Sequence, residues 1–178
     1  MQGISAPFDS AAYWDAVADD YQSATVISTH EFHFGPLLPD DGDLQLLPDD
    51  VRGLRCLEAG CGAAQNSIAL ARRGAVCEAF DCSPAQLRHA ARLCEREGVR
   101  VSLFPASLNE PDPLPPGPYD LIHSTYALPF AERPAAFLAA AARRLRPGGV
   151  LLTTWGHPLY GGEWVQFDDG VTGAVVED

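Results

Sequence analysis

The sequence contains no lysine. Its basic residues are twelve arginines, which stand against 24 acidic residues and leave a formal net charge of −12. An acidic chain without a basic patch binds phosphate backbones poorly, which argues against nucleic acid as a partner. No apolar run approaches the roughly 18 residues of a membrane-spanning helix, and the N-terminal MQGISAPFDS lacks the basic and apolar regions of a signal peptide. We therefore expect a cytoplasmic protein that binds neither nucleic acid nor a membrane.

The cysteines indicate neither a disulfide framework nor a zinc site. There are five, an odd number, and they include no C-x-x-C pair. Buried, reduced thiols are the expected state. His30 and His33 lie on either side of Glu31, but no further ligands accompany them. We predict no metal site and interpret this segment as a substrate-facing loop or a plain entry segment.

The chain is long enough for one domain with a sizeable core and too short for two ordinary ones. We expect residues 1–50 to form a helical cap and an acidic connection, and residues 51–178 to form the main, ligand-binding part. Within the cap, Ser10 to Ser23 has apolar side chains at helical spacing, with Asp9 or Ser10 as the N-cap.

The most informative stretch runs from Leu54 to Ser83. It begins with an apolar run typical of a strand buried on both faces, and the tight turn Gly60-Cys61-Gly62 follows. The pattern then predicts a helix from Gln65 to Gly74 and a strand from Val76 to Phe80, with Asp81 directly after it. A carboxylate about 20 residues after a glycine turn is able to accept both hydroxyls of a ribose. The stretch therefore predicts a nucleoside-binding β-α-β unit.

Two positions indicate which nucleoside binds. A dinucleotide fingerprint needs a third glycine at position 65, where this chain has glutamine. Instead, Glu58 precedes the turn, and Glu58-Ala59-Gly60-Cys61-Gly62 resembles the first motif of the class I S-adenosylmethionine-dependent methyltransferases. The resemblance implies S-adenosylmethionine as the cofactor, with Gly60 to Gly62 near its methionine part and Asp81 on its ribose. Ala64 stands where the family commonly has a third glycine, and we expect its extra methyl group to be a mild change.

Two later segments resemble further signatures of the same family. Tyr119 to Ser124 is an apolar strand with the aromatic-Asp-Leu-Ile start of the second signature. Leu145 to Leu151 is similar to the third, in which a helix ends at Arg-Pro-Gly-Gly and a strand follows, here over Val150 to Trp155. With three signatures in order across residues 54–155, the chain is identified as a member of this family.

The resemblance implies an α/β fold, a Rossmann-like, doubly wound and mostly parallel sheet with helices on both faces. Between the signatures, the sequence predicts a helix over Pro84–Glu97 and a strand over Val99–Phe104. Five prolines within 109–118 exclude a helix there, whereas Arg133–Leu145 predicts one. Only residues 156–178 follow the fifth strand, so we expect the family's C-terminal strands to be reduced or missing. An uncovered sheet edge favours association, for example as a homodimer.

The resemblance and the predicted strand ends together give a set of cofactor-binding candidates. The N-terminal helix is similar to one that covers the cofactor in many small-molecule methyltransferases, which would bring Tyr13 or Tyr21 to the methionine part. Alternatively, these aromatic side chains only pack the helix against the domain. The turn after the third strand lacks the acid that the family often places against adenine, which leaves Ser107 or a backbone group for that role. The predicted cofactor-binding residues are Tyr21, Glu58, Gly60, Cys61, Gly62, Asp81, Cys82, Ser107, Leu108 and Ser124.

Candidate bases lie at the predicted carboxyl edge of the sheet. His157 comes first because it follows the fifth strand directly, and Tyr126, His123 and Tyr160 are further candidates. His123 is equally well explained as a buried strand histidine. A base helps only if the acceptor atom carries a proton that must leave.

Two functions stay open on the sequence. The first is an active methyltransferase that transfers a methyl group to a small-molecule acceptor, with a biosynthetic intermediate as one example. The second is a non-catalytic S-adenosylmethionine-binding or partner subunit, which the reduced C-terminal strands, the missing adenine acid and Ala64 would fit. A nicotinamide oxidoreductase is disfavoured by Gln65.

Overall fold

The computed structural model describes residues 8–36, 38–110 and 112–156, together with the backbone of two short strands near the C-terminus. The helices are α1 (Ser10–Ala24), α2 (Asp41–Leu44), α3 (Gln65–Arg72), α4 (Pro84–Glu97) and α5 (Pro134–Arg144). The strands are β1 (Arg55–Ala59), β2 (Val76–Asp81), β3 (Val101–Pro105), β4 (Tyr119–Thr125), β5 (Leu145–Thr154), β6 (Trp164–Gln166) and β7 (Thr172–Ala174). Among the described residues, helices separate β1, β2 and β3, whereas β3 leads to β4 without a helix, and the 3-10 turn Leu128–Phe130 and a helix lie between β4 and β5.

Strands β1 to β5 form one sheet in the order β3-β2-β1-β4-β5, and every pair in it is parallel. The chain builds outward from β1 to β3 and then crosses to the other side of β1 to add β4 and β5. The strand order therefore reverses between β1 and β4, which is where doubly wound sheets open a ligand crevice at their carboxyl ends. The predicted Rossmann-like parallel sheet is confirmed, and β6 and β7 form a separate antiparallel pair.

The core lies on both faces of this sheet. On one face, Phe80, Ile122 and Phe137 belong to a buried cluster that joins β1, β2 and β4 to α5. On the other face, Phe32 and Phe34 pack with side chains of β1, β2, β4 and α3. Both of these phenylalanines precede the sheet in sequence, so the segment after α1 is an integral part of the core.

Two helix boundaries follow the sequence signals closely. The side chain of Asp9 caps α1 by accepting a hydrogen bond from the backbone N–H of Ala12 at 3.0 Å. Ser83 caps α4 in the same way through the N–H of Gln86 at 3.1 Å, and α4 ends at Gly98 with φ of 67°. Both helices were expected from these capping residues, because a side-chain oxygen there pairs an otherwise unsatisfied N–H group.

Two local features differ from the expectation. The short helix α2 lies within the acidic connection. The side chain of Asp40 caps this helix by accepting a hydrogen bond from the N–H of Gly42 at 3.0 Å. Strand β5 begins at Leu145 and includes the Arg-Pro-Gly-Gly turn that was expected to precede it. The proline-rich segment contains no helix among its described residues. No helix in the described part of the chain is long and apolar enough to cross a membrane.

Candidate active site

A cavity opens where the carboxyl ends of the strands meet the segment before the sheet. It contains about 890 Å³ of empty space, its open mouth included, and its lining is mainly apolar. The β1 end contributes Gly60 to Gly62, β2 contributes Asp81, and the segment after β3 contributes Ala106 to Asn109. The β4 end contributes Thr125 to Ala127, and helix α1 and His33 complete the wall.

The turn after β1 brings main chain, not side chains, to the cavity. Gly60 has φ of 68° and Gly62 has φ of 53°, a left-handed conformation that glycine adopts without strain. A Cβ atom added to Gly60 would collide with the side chain of Ala127, whereas one on Gly62 would find its nearest neighbour at 3.7 Å. The N–H groups of Gly60 and Cys61 both donate to the carbonyl of Phe80 at 2.9 Å, which fixes the turn against β2.

Asp81 is held by the main chain around it. Its two carboxylate oxygens accept hydrogen bonds from the N–H of Gly62 at 2.8 Å and from the N–H of Ser83 at 2.9 Å. Burial raises the pKa of this carboxyl above its usual value, and these backbone hydrogen bonds oppose the rise. A carboxylate has about four lone-pair positions, so two remain for hydroxyl donors in the cavity. A ribose diol is such a ligand.

Glu58 is a second buried carboxyl on the cavity wall, with 4% of its surface exposed. Among the described residues it accepts two hydrogen bonds, from the hydroxyl of Ser67 at 2.6 Å and the N–H of Ser67 at 3.0 Å, and both end on Oε2. Burial raises the pKa of Glu58 to about 7. A cationic ligand group in the cavity would favour the ionised form of Glu58, because opposite charges close together stabilise each other.

Helix α1 covers the cavity and is fixed to the helices beside it. Asp15 accepts hydrogen bonds from the N–H of Ala85 at 2.7 Å and the hydroxyl of Ser83 at 3.0 Å. Gln22 donates to Gln86 on α4 at 2.9 Å and accepts from Gln65 on α3 at 3.2 Å. These contacts fix one face of α1 at the cavity, with Trp14 and Tyr21 in the wall. Tyr13 is 46% exposed and is not part of the wall.

His33 and Tyr126 lie at the β4 side of the cavity. The buried side chain of Asn66 accepts from the N–H of His33 at 2.8 Å and donates to its carbonyl at 2.9 Å and to the Thr125 hydroxyl at 3.2 Å. Tyr126 has φ of 59°, an uncommon conformation for a non-glycine residue, and its N–H donates to the carbonyl of Thr154 at 2.7 Å. The Tyr126 ring lies so close to Gly35 that a Cβ there would collide with it.

A family profile described as "Methyltransferase domain" matches residues 56–149, just over half of the chain. The chain belongs to the class I methyltransferases. The matched region runs from the start of β1 to the turn within β5 and therefore includes the glycine turn, Asp81 and Tyr126.

Two similar curated proteins are named as O-methyltransferases. The chain is 30% identical over 100 residues to the ubiquinone biosynthesis O-methyltransferase of Caulobacter sp. strain K31, a match that covers 56% of this chain and 40% of that protein. It is 36% identical over 100 residues to the corresponding enzyme of Xanthomonas campestris pv. campestris, covering 56% and 41%. The match therefore spans less than half the length of these relatives.

Solved structures show the same fold. A methyltransferase of Mesorhizobium loti, described as S-adenosylmethionine-dependent, superposes with a TM-score of 0.64 at 25% identity, over 75% of this chain and 62% of that one. The DhpI–SAM–HEP complex superposes with a TM-score of 0.62 at 18% identity, over 99% and 84%.

The residues of this chain fit the cofactor of its family. Asp81 lies on the wall as an acceptor for a ribose, Gly60 and Gly62 present no side chain that would block the methionine part, and Glu58 suits its ammonium group. Ala106 and Leu108 offer apolar surface where the adenine would lie. The Ser107 N–H donates to the side chain of Glu110 at 2.9 Å, so that backbone donor is already paired.

The structure brings most of the predicted site residues to the cavity. The predicted residues on its wall are Tyr21, Glu58, Gly60, Cys61, Gly62, Asp81, Cys82, Ser107, Leu108 and Tyr126. Their ligand contacts stay predictions. His157 and Tyr160 lie outside the described residues.

Two predicted site residues lie elsewhere. Ser124 is fully buried and donates its hydroxyl to the carbonyl of Ala59 at 2.9 Å, so it joins β4 to β1 instead of facing a cofactor. His123 is fully buried against Phe32, with no hydrogen-bond partner for either ring nitrogen among the described residues. Burial lowers the pKa of His123 to about 3, and it is not part of the cavity wall, so it is unsuited as a base for a bound ligand. Both residues belong to a strand that is buried on both faces.

Sequence reasoning missed several polar or aromatic residues of the wall, among them Trp14, Gln22, His33, Gln86 and Asn109. Gln86 lies in the first turn of α4, a helix that the sequence predicted, and this position directly after β2 could have placed it near the cavity. His33 was considered only as a metal ligand or as part of a loop. Among the described residues, no group of three or more histidine, cysteine or acidic side chains is arranged to hold a metal ion.

The replacement of glycine by Ala64 is a larger change than was expected from the sequence. It directly precedes α3 in a left-handed conformation, with φ of 59° and ψ of 30°, and is fully buried. A Cβ atom in this conformation costs about 1–2 kcal/mol. The chain therefore keeps the backbone shape that suits a third glycine, and Ala64 is strained in it.

Proposed function

We propose that the protein is an S-adenosylmethionine-dependent methyltransferase that acts on a small molecule with an oxygen acceptor. The observation that carries the proposal is the continuity of one cavity from Asp81 and Gly62 at the β1–β2 ends to His33 and Tyr126 on the β4 side. One side offers hydrogen-bond acceptors and main chain to a nucleoside, and the other offers a histidine and a tyrosine to a second ligand.

The relatives support the oxygen acceptor, since they are named O-methyltransferases. The net charge of −12 disfavours a nucleic acid as the acceptor. A cytoplasmic location and a homodimer stay predictions from the sequence, as does the division into a cap over residues 1–50 and a main part over residues 51–178.

When bound, the cofactor supplies an electrophilic methyl group on sulfur. The protein therefore has mainly to hold the acceptor in line and keep water out, and such orientation is worth roughly 7–11 kcal/mol. Asp81 and Gly62 would fix the nucleoside side. Trp14 and Tyr21 on α1 would cover the cavity and exclude water. The contacts of Asp15 with the N-terminus of α4 support this cover.

Calorimetric titration of the protein with S-adenosylmethionine and S-adenosylhomocysteine tests the cofactor side of the proposal. We expect micromolar binding of both, followed by methyl transfer to hydroxyl compounds. Binding without any transfer to a panel of hydroxyl, amine and thiol compounds would favour the non-catalytic alternative. Absence of binding would contradict both functions.

A further inference from the structure

We propose that His33 takes the proton from the acceptor during methylation, and that the acceptor group is an acidic hydroxyl of the phenol or enol class. This inference rests on the proposed methyl-transfer function and names the acceptor class for the same site. It gives a catalytic role to a residue that lies 25 positions before Glu58, where the glycine-turn motif begins, and that has no place in the family's signatures.

The segment that carries His33 is fixed in place at several points. Phe32 and Phe34, on either side of it, are 1% and 0% exposed and are part of the core. His33 itself forms an antiparallel bridge with Asp40. Asn66 binds both the N–H and the carbonyl of His33, so the backbone of this residue cannot shift without breaking two hydrogen bonds. A group held in this way is preorganised for catalysis.

The Asn66 side chain also connects His33 to the sheet. The same Nδ2 that donates to the His33 carbonyl also donates to the hydroxyl of Thr125, at the carboxyl end of β4. Thr125 and Tyr126 line the cavity next to this contact. His33 therefore keeps a fixed position relative to the strand end where a second ligand would meet the nucleoside.

The imidazole of His33 has the protonation state that the role needs. Burial lowers the pKa of His33 below its usual value, so the ring is neutral at pH 7 and has a free lone pair. Tyr21, Glu58 and Tyr126 are titratable groups on the same cavity wall, and Asp40 lies opposite His33 in the bridge. His123 lies behind this wall in the core.

The acceptor class follows from the strength of this base. A neutral imidazole with a lowered pKa is a weak base, and proton transfer is efficient when the donor and the base are close in pKa. A phenol or an enol is much closer to this base in pKa than an alkyl alcohol is, so its proton is transferred to the imidazole more readily. The O–H bond breaks as the new C–O bond forms, and the proton goes to the imidazole. The methyl–sulfur bond breaks with its electron pair staying on the sulfur of the cofactor.

The test compares His33→Gln and His33→Asn with His30→Gln, which changes an exposed histidine three residues earlier. Each purified variant is titrated with S-adenosylhomocysteine, and its rate of methyl transfer from S-adenosylmethionine is measured with catechol and with the more acidic 4-nitrocatechol. Ring C–H resonances of the histidines are followed by NMR while 4-nitrocatechol is added to the S-adenosylhomocysteine complex.

We expect all variants to bind S-adenosylhomocysteine equally. The His33 variants should lose about 100-fold or more in kcat/KM with catechol, the range for general-base catalysis, and only a few-fold with 4-nitrocatechol at a pH where it is already ionised. In the wild type, kcat/KM for catechol should rise with pH through the His33 pKa and then level off, whereas in the variants the rise should follow ionisation of the phenol. The added phenol should shift the His33 resonance and not that of His30.

Three results would overturn the inference: equal losses with both phenols, an unchanged pH profile, or no methylation of either phenol by a wild type that binds S-adenosylmethionine. In the first two cases methyl transfer by the wild type still supports the proposed function, and in the third case methylation of another hydroxyl compound of the panel would still support it. Failure of the wild type to bind the cofactor would instead remove the proposed function, and the inference with it.

Discussion

The two halves of the cavity are built in different ways. The cofactor half consists of the β1 and β2 ends, where Asp81 is fixed by the N–H groups of Gly62 and Ser83. The acceptor half consists of His33 and the β4 end, which Asn66 joins through side-chain hydrogen bonds spanning 33 and 59 positions of sequence. The first half depends on backbone conformation within one β-α-β unit, whereas the second depends on contacts between distant segments.

This difference predicts which property is lost when a residue of each half is substituted. A change in the cofactor half should alter nucleoside binding directly. A change in the acceptor half should leave cofactor binding intact and affect transfer or stability. Substitutions at Gly60, Asn66, Glu58 and Asp81 should therefore affect cofactor binding and stability to different extents in the two halves, with the largest effect at Gly60.

Gly60→Ala should have the largest effect, because it combines a left-handed backbone with a collision against Ala127. The free energy of unfolding should fall by about 2–5 kcal/mol, and cofactor binding should be lost. Urea unfolding and calorimetry measure the two effects. Gly98→Ala is the matched control, since Gly98 also has positive φ but no atom within 4 Å of an added Cβ. Equal losses in the two variants would show that the close approach to Ala127 is unimportant.

Asn66→Ala should destabilise the protein by about 2–4 kcal/mol, because it leaves the N–H and the carbonyl of His33 without partners. The surviving folded fraction should still bind S-adenosylhomocysteine, since Asn66 lies in the acceptor half. Asn109→Ala is the control. It removes only an exposed hydrogen bond to the N–H of Glu132 and should cost about 1 kcal/mol or less. A large loss of cofactor affinity in folded Asn66→Ala would mean that the halves are not independent.

Glu58 should make the ligand-free protein less stable as the pH rises. Burial raises its pKa to about 7 in the folded state from 4.5, so the folded protein holds a proton that the unfolded chain has released. Its stabilising contribution is complete below pH 4.5 and is lost as the pH rises toward 7 and just above, an effect on the order of 3 kcal/mol. Urea unfolding at pH 5 and pH 8 should show this loss in the wild type relative to Glu58→Gln, which has no proton to release. An identical pH dependence in both proteins would contradict the raised pKa.

Asp81→Ala should weaken binding of S-adenosylmethionine by about 1.5–3 kcal/mol, the range for hydrogen bonds to a charged group. Calorimetry measures the change. Asp112→Ala is the control, because it removes an exposed carboxylate that pairs with Arg144 outside the cavity, and its affinity should match the wild type. Unchanged affinity in a folded Asp81→Ala variant would rule out the assignment of Asp81 to the ribose.

Much of the cofactor half could be predicted from the sequence. Gly60 and Gly62 mark positions with positive φ, and Ser83 followed by proline marks the start of α4. Each of these signals is a conformational preference of one or two residues, so it can be recognised in the sequence without knowledge of the rest of the fold. The parallel sheet was an expectation from the resemblance of three segments to the family's signatures, and the structure confirms it.

The errors lie where the facing direction of a side chain mattered. Ser124 and His123 were candidate site residues because they lie near the end of a strand, with a buried strand histidine as the alternative for His123, and both are fully buried. Their strand is covered on both faces, so apolar and polar residues do not alternate in a way that marks the ligand side. Nothing in the local sequence of His33 indicated that a buried asparagine 33 positions later would hold it at the cavity.

The sequence by itself therefore determined the β-α-β unit, the glycine turn, the carboxylate after β2 and the helix caps, because backbone preferences of single residues encode them. Only the tertiary structure decided that His33, Asn66, Thr125 and Tyr126 meet at one edge of the sheet. That meeting depends on the crossing from β3 to β4 and on Phe32 and Phe34 entering the core. Long-range packing of this kind is a property of the whole chain, so no single segment encodes it.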